Sequence, residues 1–459
     1  MSQTPNQRLE AYLGQLSPQS LALLIREFER AVERGDDPAF AGRVLEQLRK
    51  VVRGADQPTT ARVHDPARVL FRPLEPFLIE SKFPARPGQV NRASLLPVWQ
   101  WLSREGASEK AREFAEAVSQ DAADEATVHK FQLAAGEAIL GALHSASGSD
   151  RQRVLARVGP PEVVEDLPSI GSVLQSHEAL HVLDNRLPSY LRAFADAQIQ
   201  SVRVSLNVPS LQSPLLLPFA LSLVMQRLQS PWQIIRLAVK MAGSDDEIRV
   251  AGTPYGIAVS LALHDLCVLA AGLHSDIRRG HFEDIAEHLK ILHDGVRGLR
   301  TELDLRSDSA WGRQLTSLRA DISNALQAEI ESVPGRVRRL LRQRGDKDVA
   351  TASIDPGEVE EVAALIDFVA VCRTYASELA INEVTLRTYS DLQNYVEHST
   401  QALIQALRGG DAKIRLYRQK QVQAAIRFCD ILFGKDYASL MARAAENAAP
   451  DEGKALRSG

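Results

Sequence analysis

The sequence predicts an all-α protein: multi-helix bundles packed around a central apolar group of helices, with no significant sheet. Three observations carry this reading. Helix start signals recur, with a capping polar residue followed by proline at Ser17-Pro18, Asp37-Pro38, Ser230-Pro231 and Thr253-Pro254. Between the signals, apolar residues return at helical spacing, as in Leu21, Leu24, Phe28 and Val32. Strand-type alternation is confined to Val202, Val204, Leu206 and Val208, a short run without a partner strand that reads as a helix end.

Composition sets the class. The chain has 459 residues, 45% apolar and 24% charged, which is ordinary for a soluble globular protein long enough to bury a large core. A net charge of −4 supplies no basic footprint for nucleic acid, and 5% aromatics supply no stacking platform. Nucleic acid is therefore not an expected partner. Cys267, Cys372 and Cys429 lie far apart on apolar helical patterns, so buried, reduced thiols in a cytoplasmic protein are expected. The opening MSQTPNQRLEAYL lacks the basic-then-apolar pattern of a signal peptide.

Taken in order, the chain falls into segments 1–145, 146–345 and 356–449. The first opens with two helices, stopped by Gly35 and Gly54. Residues 55–88 then form a proline-rich strap. Pro58, Pro66, Pro73, Pro76, Pro84 and Pro87 cannot share one helix, yet Leu70, Phe71, Leu74 and Phe77 are too apolar for a flexible linker. The strap is expected to be ordered and largely extended against helices; the alternative is a linear element that docks on a partner. Ser94 caps the next helix, Gly106 stops it, and a helical stretch runs from Ser108 to about His144. The small polar run Ser145–Asp150 marks a boundary.

Beyond it, helices are expected from about Ile170 to Leu183 and from Pro188 to about Val204. The most apolar stretch follows, Pro214–Leu273, as three helical runs separated by Ser230-Pro231 and Thr253-Pro254. Helices apolar on nearly every face are buried. Tyr255–Leu273 is long enough to span a bilayer, but His264 and Asp265 near its midpoint favour burial in a protein core. Phe282–Leu303 and Ala310–Val333 read as amphipathic helices, Gly335–Arg344 as a basic helical tail, and Gly345–Gly357 as a second boundary. The last segment holds helices from Glu358 to Leu407, broken near Asn382, and then Arg415–Phe433 and Asp436–Glu446.

Five residues carry the sharpest chemical signal: His177-Glu178-Ala179-Leu180-His181. Histidines at i and i+4 share a helix face and can bind one zinc, with the glutamate between them as general base. This resembles the short zinc-peptidase (zincin) signature over about ten residues. That resemblance implies His177 and His181 as metal ligands and Glu178 as a catalytic base. The glycine and third histidine of the extended signature are missing, since Val182 to Pro188 reads VLDNRLP. Glu178 and His181 also make half of a di-iron bundle signature, without a second copy elsewhere.

Two further constellations stand out. His264 and Asp265 form a buried polar pair, and a buried Asp265 requires a cation from another helix. Arg336, Arg338, Arg339, Arg342 and Arg344 surround Val337, Leu340 and Leu341, an element suited to an anionic surface or to pairing with nearby carboxylates. His274, His281 and His288 recur every seven residues, but Gly280 interrupts that face. Phosphate-cradling and nucleophile-elbow motifs are absent.

The function these features suggest is a non-catalytic cytoplasmic helical scaffold or adaptor that binds another protein and carries no cofactor. The alternatives are a zinc-dependent hydrolase built on HEALH, and a peripheral membrane protein using the arginine-rich element. None of these signals specifies an oligomeric state.

Overall fold

The structure is a computed structural model that describes residues 65–80, 83–144, 149–282, 284–343, 353–408 and 412–448. The helices expected before Gly54, the start of the strap and Arg344 lie outside the described residues. The fold is all-α, the described residues being 80% helical with 2% strand. The sole sheet among the described residues is a two-residue parallel pairing of β1 (Leu78–Ile79) with β2 (Val90–Asn91).

The chain divides into two compact units, one of residues 1–72 and 95–138, the other of 73–94 and 139–459. This division differs from the three segments suggested by composition. Residues 146–345 and 356–449 fall in one unit, and the other boundary lies inside a helix, at Ala138, rather than at the polar run after His144.

The described part of the first unit contains α1 (Pro66–Leu70), α2 (Leu95–Trp101), α3 (Ser108–Ser119) and the start of α4 (Glu125–His144). Asp65 caps α1 by accepting from the Ala67 amide at 3.0 Å. Buried Gln132 donates to the Leu70 carbonyl at 3.1 Å, satisfying an acceptor left open where α1 ends. Phe114 and Phe131 stack at 4.5 Å, with Trp99 edge-on to both. The stretch expected as one helix from Ser108 is two, because Asp121 takes a left-handed φ of 55° and Asp124 caps a new start by accepting from the Thr127 amide.

In the second unit, α5 (Ser149–Val158) leads to α6 (Pro161–Arg186), which begins about nine residues before the expected start. Residues 188–195 are irregular where a helix was expected. There the Leu191 amide and carbonyl pair with Arg227 and Gln229, and α7 starts only at Asp196, running to Leu206. The central apolar stretch becomes α8 (Leu217–Arg227), α9 (Ile235–Ala242) and α11 (Ile257–Arg279), with the short α10 (Glu247–Ala251) between the last two. Each proline places its helix start, and Gly243 and Gly280, both left-handed, end α9 and α11. Leu217–Met225 of α8 and Leu261–Leu263 of α11 are buried on all faces, which accounts for the apolar run.

Around this centre pack α12 (Ile285–Glu302) and α13 (Ala310–Leu341). The expected break at Val333 does not occur. α13 runs 32 residues through Pro334, and the arginine-rich segment is its last turns. α14 (Pro356–Tyr375), α15 (Asn382–Ala406), α16 (Ala412–Phe433) and α17 (Lys435–Ala448) complete the unit, with Ala380 at φ 58° making the break before Asn382. Gln421 of α16, buried, donates to the Leu340 and Arg342 carbonyls at 2.8 and 3.0 Å and so caps the end of α13.

The strap is less extended than expected. Leu70, Phe71, Leu74 and Phe77 are buried from α1 and a 3₁₀ turn over Arg72–Phe77, because short helical turns accommodate a proline at their start. From Pro84 the chain runs without helix to Gly88, which has φ +82° and so little room that an added Cβ would lie 2.5 Å from the Pro218 carbonyl oxygen. Gly88→Ala is therefore expected to destabilise the protein by about 2–4 kcal/mol, combining strained φ with steric conflict. Gly280→Ala, at similar φ but facing open space, is expected to cost about 1 kcal/mol. Denaturant midpoints followed by helical circular dichroism compare the two.

Candidate functional site

The HEALH residues begin a fresh helical segment. Ser176, with φ −120° and ψ 19°, breaks α6 immediately before His177. His177 and His181 then lie one turn apart, the first half-buried and the second exposed. His177 Nδ1 contacts the Leu174 carbonyl at 2.8 Å, and His181 Nε2 accepts from Asn185 Nδ2 at 3.0 Å. Glu178 is exposed, and Asp184, the next acid along, pairs with Arg227. Among the described residues, no group of three or more His, Cys, Asp or Glu side chains gathers in metal-binding proximity. The pattern puts two imidazoles on one helix face.

The arginine-rich element is engaged within the chain. Arg336 pairs with Glu361, and Arg339 with Glu358 at 2.5 Å, both on α14. Arg338 lies over the Tyr395 ring, 5.7 Å from its centroid, and Arg342 is exposed. Arg427 of α16 similarly joins Glu360. The expected face thus serves largely to join helices. His274 and His281 are solvent-exposed on either side of Gly280, where α11 ends. Cys372 and Cys429 are buried free thiols as expected, but Cys267 is only half-buried beside Gln314.

The described polar site with the most converging groups surrounds Asp265. Arg86 reaches it from the strap, with Nε donating to Oδ1 at 2.7 Å and Nη2 to Oδ2 at 3.3 Å. Arg86 Nη1 donates to Ser222 Oγ at 2.8 Å and to the Pro87 carbonyl at 3.1 Å. Ser222 passes its own proton to the Pro218 carbonyl at 2.8 Å, so the fork ends on a satisfied hydroxyl. His264 Nε2 donates to the Pro84 carbonyl at 2.9 Å, and Phe83 meets the imidazole edge-on. The cation that Asp265 required comes from an irregular segment 179 residues away, rather than from a helix.

The carboxylate responds to two opposed effects. Burial pushes the Asp265 carboxyl up, and the neighbouring His264 and Arg86 outweigh it, holding the group below the usual carboxylate range. Arg86 is the hydrogen-bonding partner, because His264 Nδ1 stands 3.7 Å from Oδ1 and has no partner within bonding distance. Asp265 is itself half-buried, and a fully buried carboxylate works alongside. Asp166 of α6 accepts from Ser94 Oγ at 2.6 Å and from the Asn91 amide at 3.1 Å, so Ser94 ties the strap's end to α6 instead of capping a helix. Sequence reasoning identified Asp265 by its place in an apolar helix but missed Arg86, Ser222 and Asp166, and the expected buried pair is half-buried. The available signal was Pro84-Ala85-Arg86-Pro87-Gly88, a lone arginine fixed between two prolines.

A cleft of about 720 Å³ opens at the start of α7, with Phe194, Ile199 and Val239 as its apolar part. Four of its charged side chains pair with one another: Arg236 with Glu302 at 2.7 Å and Lys240 with Asp196 at 3.1 Å.

Asp265→Asn leaves the Arg86 guanidinium, 7% exposed, without its counter-ion, and should destabilise the protein by about 2 kcal/mol at pH 7. Because the folded carboxyl titrates below its unfolded value, its contribution is present above about pH 4 and disappears as pH falls through the lower folded value. The stability gap between wild type and Asp265→Asn should therefore narrow in urea titrations taken from pH 5 to pH 2. Set against protein-family models, curated proteins and solved structures, the chain finds no match.

Proposed function

We propose that this chain is a non-catalytic, cytoplasmic helical scaffold or adaptor that binds another protein. One observation carries the reading: several of the groups behind the rival chemistries are committed to partners inside the chain. Arg336 and Arg339 hold α13 to α14, Asp265 holds the strap, and His181 Nε2 is occupied by Asn185. A zinc site at HEALH would require His181 Nε2 to give up Asn185 and a third ligand to arrive, while the Nδ1 contact of His177 could stay. An anionic membrane would have to compete with Glu358 and Glu361 for the same arginines.

Apolar side chains held outward on ordered helices offer the corresponding surface. Val204 on α7 is 72% exposed and Ile248 on α10 is 62% exposed. Single exposed apolar residues are ordinary, but covering each by a partner would contribute about 1–2 kcal/mol. Neither side chain contributes to the chain's own core, so an aspartate at either position removes partner contact with little effect on folding.

The test is affinity isolation at native abundance, with binding then reconstituted from purified components. A partner that binds wild type stoichiometrically should bind Val204→Asp/Ile248→Asp at least about tenfold more weakly, with thermal midpoints unchanged. Stoichiometric zinc lost in His177→Ala, with hydrolysis abolished by Glu178→Gln, would replace this reading with the hydrolase. Sedimentation with anionic vesicles, lost when Arg338, Arg339 and Arg342 become glutamate, would replace it with the membrane protein.

A further inference from the structure

The strap segment Pro84–Gly88, extended to Arg86 and then turning, is held as a short peptide is held in a recognition groove. Its floor is α8 and α11, and the contacts read successive positions. His264 binds the Pro84 carbonyl, and Asp265 and Ser222 divide the guanidinium of Arg86 between them. At Gly88, the α8 backbone comes so close that only a residue without a side chain fits. The segment forms one ordinary turn of its own, with the Gln89 amide donating to the Arg86 carbonyl at 3.0 Å. Its remaining attachments named above run through side chains or close van der Waals contact. Prolines at 84 and 87 restrict the free segment, which lowers the entropy lost on docking.

We propose that the α8–α11 groove is a recognition site for an arginine-proline-glycine turn of a partner protein, filled here in cis by the chain's own strap. This rests on the scaffold reading and deepens it by naming the partner's chemistry. The occupant is specified by the groove. Asp265 selects a cation, the paired contacts on two sides of the guanidinium select arginine over lysine, and the approach of Pro218 selects glycine two residues later. A partner segment competes with a tethered copy of itself, so it gains access only when its local concentration is high or the strap is weakened. Val204 and Ile248 lie outside the groove contacts described, so a partner could still bind through them if the groove proved closed to peptides.

The probe is a fluorescent nonapeptide of the strap sequence, Phe-Pro-Ala-Arg-Pro-Gly-Gln-Val-Asn, added to the full chain. With Arg86→Ala, which empties the pocket, saturable binding is expected below about 1 mM, and at least about tenfold weaker binding to wild type. Replacing the peptide's arginine by lysine, or its glycine by alanine, should weaken binding about tenfold or more, as should Asp265→Asn in the receiving chain. Should Arg86→Ala fail to fold, wild type alone decides: about 1 mM peptide should speed exchange of the Gln89 amide as it displaces the strap. No binding to a folded Arg86→Ala chain, or no change in Gln89 exchange, would overturn the proposal. So would equal binding of the lysine peptide. A lost peptide signal with a partner still sensitive to Val204→Asp/Ile248→Asp would refute the groove and leave the scaffold reading intact.

Discussion

A guanidinium buried between a carboxylate and a hydroxyl is the constraint on which the central part of this protein turns. Arg86 is 7% exposed, and a cation so placed needs a counter-charge and acceptors for its donors. Four of its five N–H groups are met, by Asp265 from α11, Ser222 from α8 and the strap's own Pro87 carbonyl. These contacts fix the spacing of two helices that otherwise meet through interchangeable aliphatic packing. Hydrophobic burial supplies the bulk of the stabilisation here, but it is non-directional. The ion pair and the close approach at Gly88 set where the strap lies along those helices.

The same division between bulk and register runs through the second unit. Gly295 brings α12 against Leu266 of α11, and Gly298 leaves space for the Trp232 ring. Trp311 donates from α13 to Ser260 of α11 at 2.9 Å, adding a directional contact to the seam. Farther along, carboxylates at 358, 360 and 361 on one helix collect arginines from two others. Each pair is exposed enough to contribute modestly, but together they limit how α13, α14 and α16 can slide.

Much of the helical architecture was legible in the sequence, because its signals are local. Proline at 231 and 254, and glycine at 243 and 280, act within one turn and sit where the helix ends are found. Local reasoning failed where two local signals conflicted or where the answer was distant. Pro334-Gly335 looked like a helix end, yet packing of Val333, Val337, Leu340 and Leu341 carries α13 through it. The strap's prolines suggested extended chain, while Asp65-Pro66 and the spacing of Leu70, Leu74 and Phe77 encoded short turns. At the candidate site, the need of Asp265 for a cation was readable, but the identity of that cation was not. No spacing rule connects positions 86 and 265. HEALH shows the converse, a spacing rule satisfied on one helix with no group of three metal-binding side chains among the described residues.

The length of α13 has a mechanical consequence. At about 1.5 Å per residue, its 32 residues make a rod roughly 48 Å long. One end is seated on α11 through Trp311, and the far end is gripped by α14, α15 and α16. A stiff member clamped at both ends transmits tilt rather than absorbing it. A small rotation where α11 holds Asp265 would therefore be carried to the helices that surround Tyr395 and Gln421.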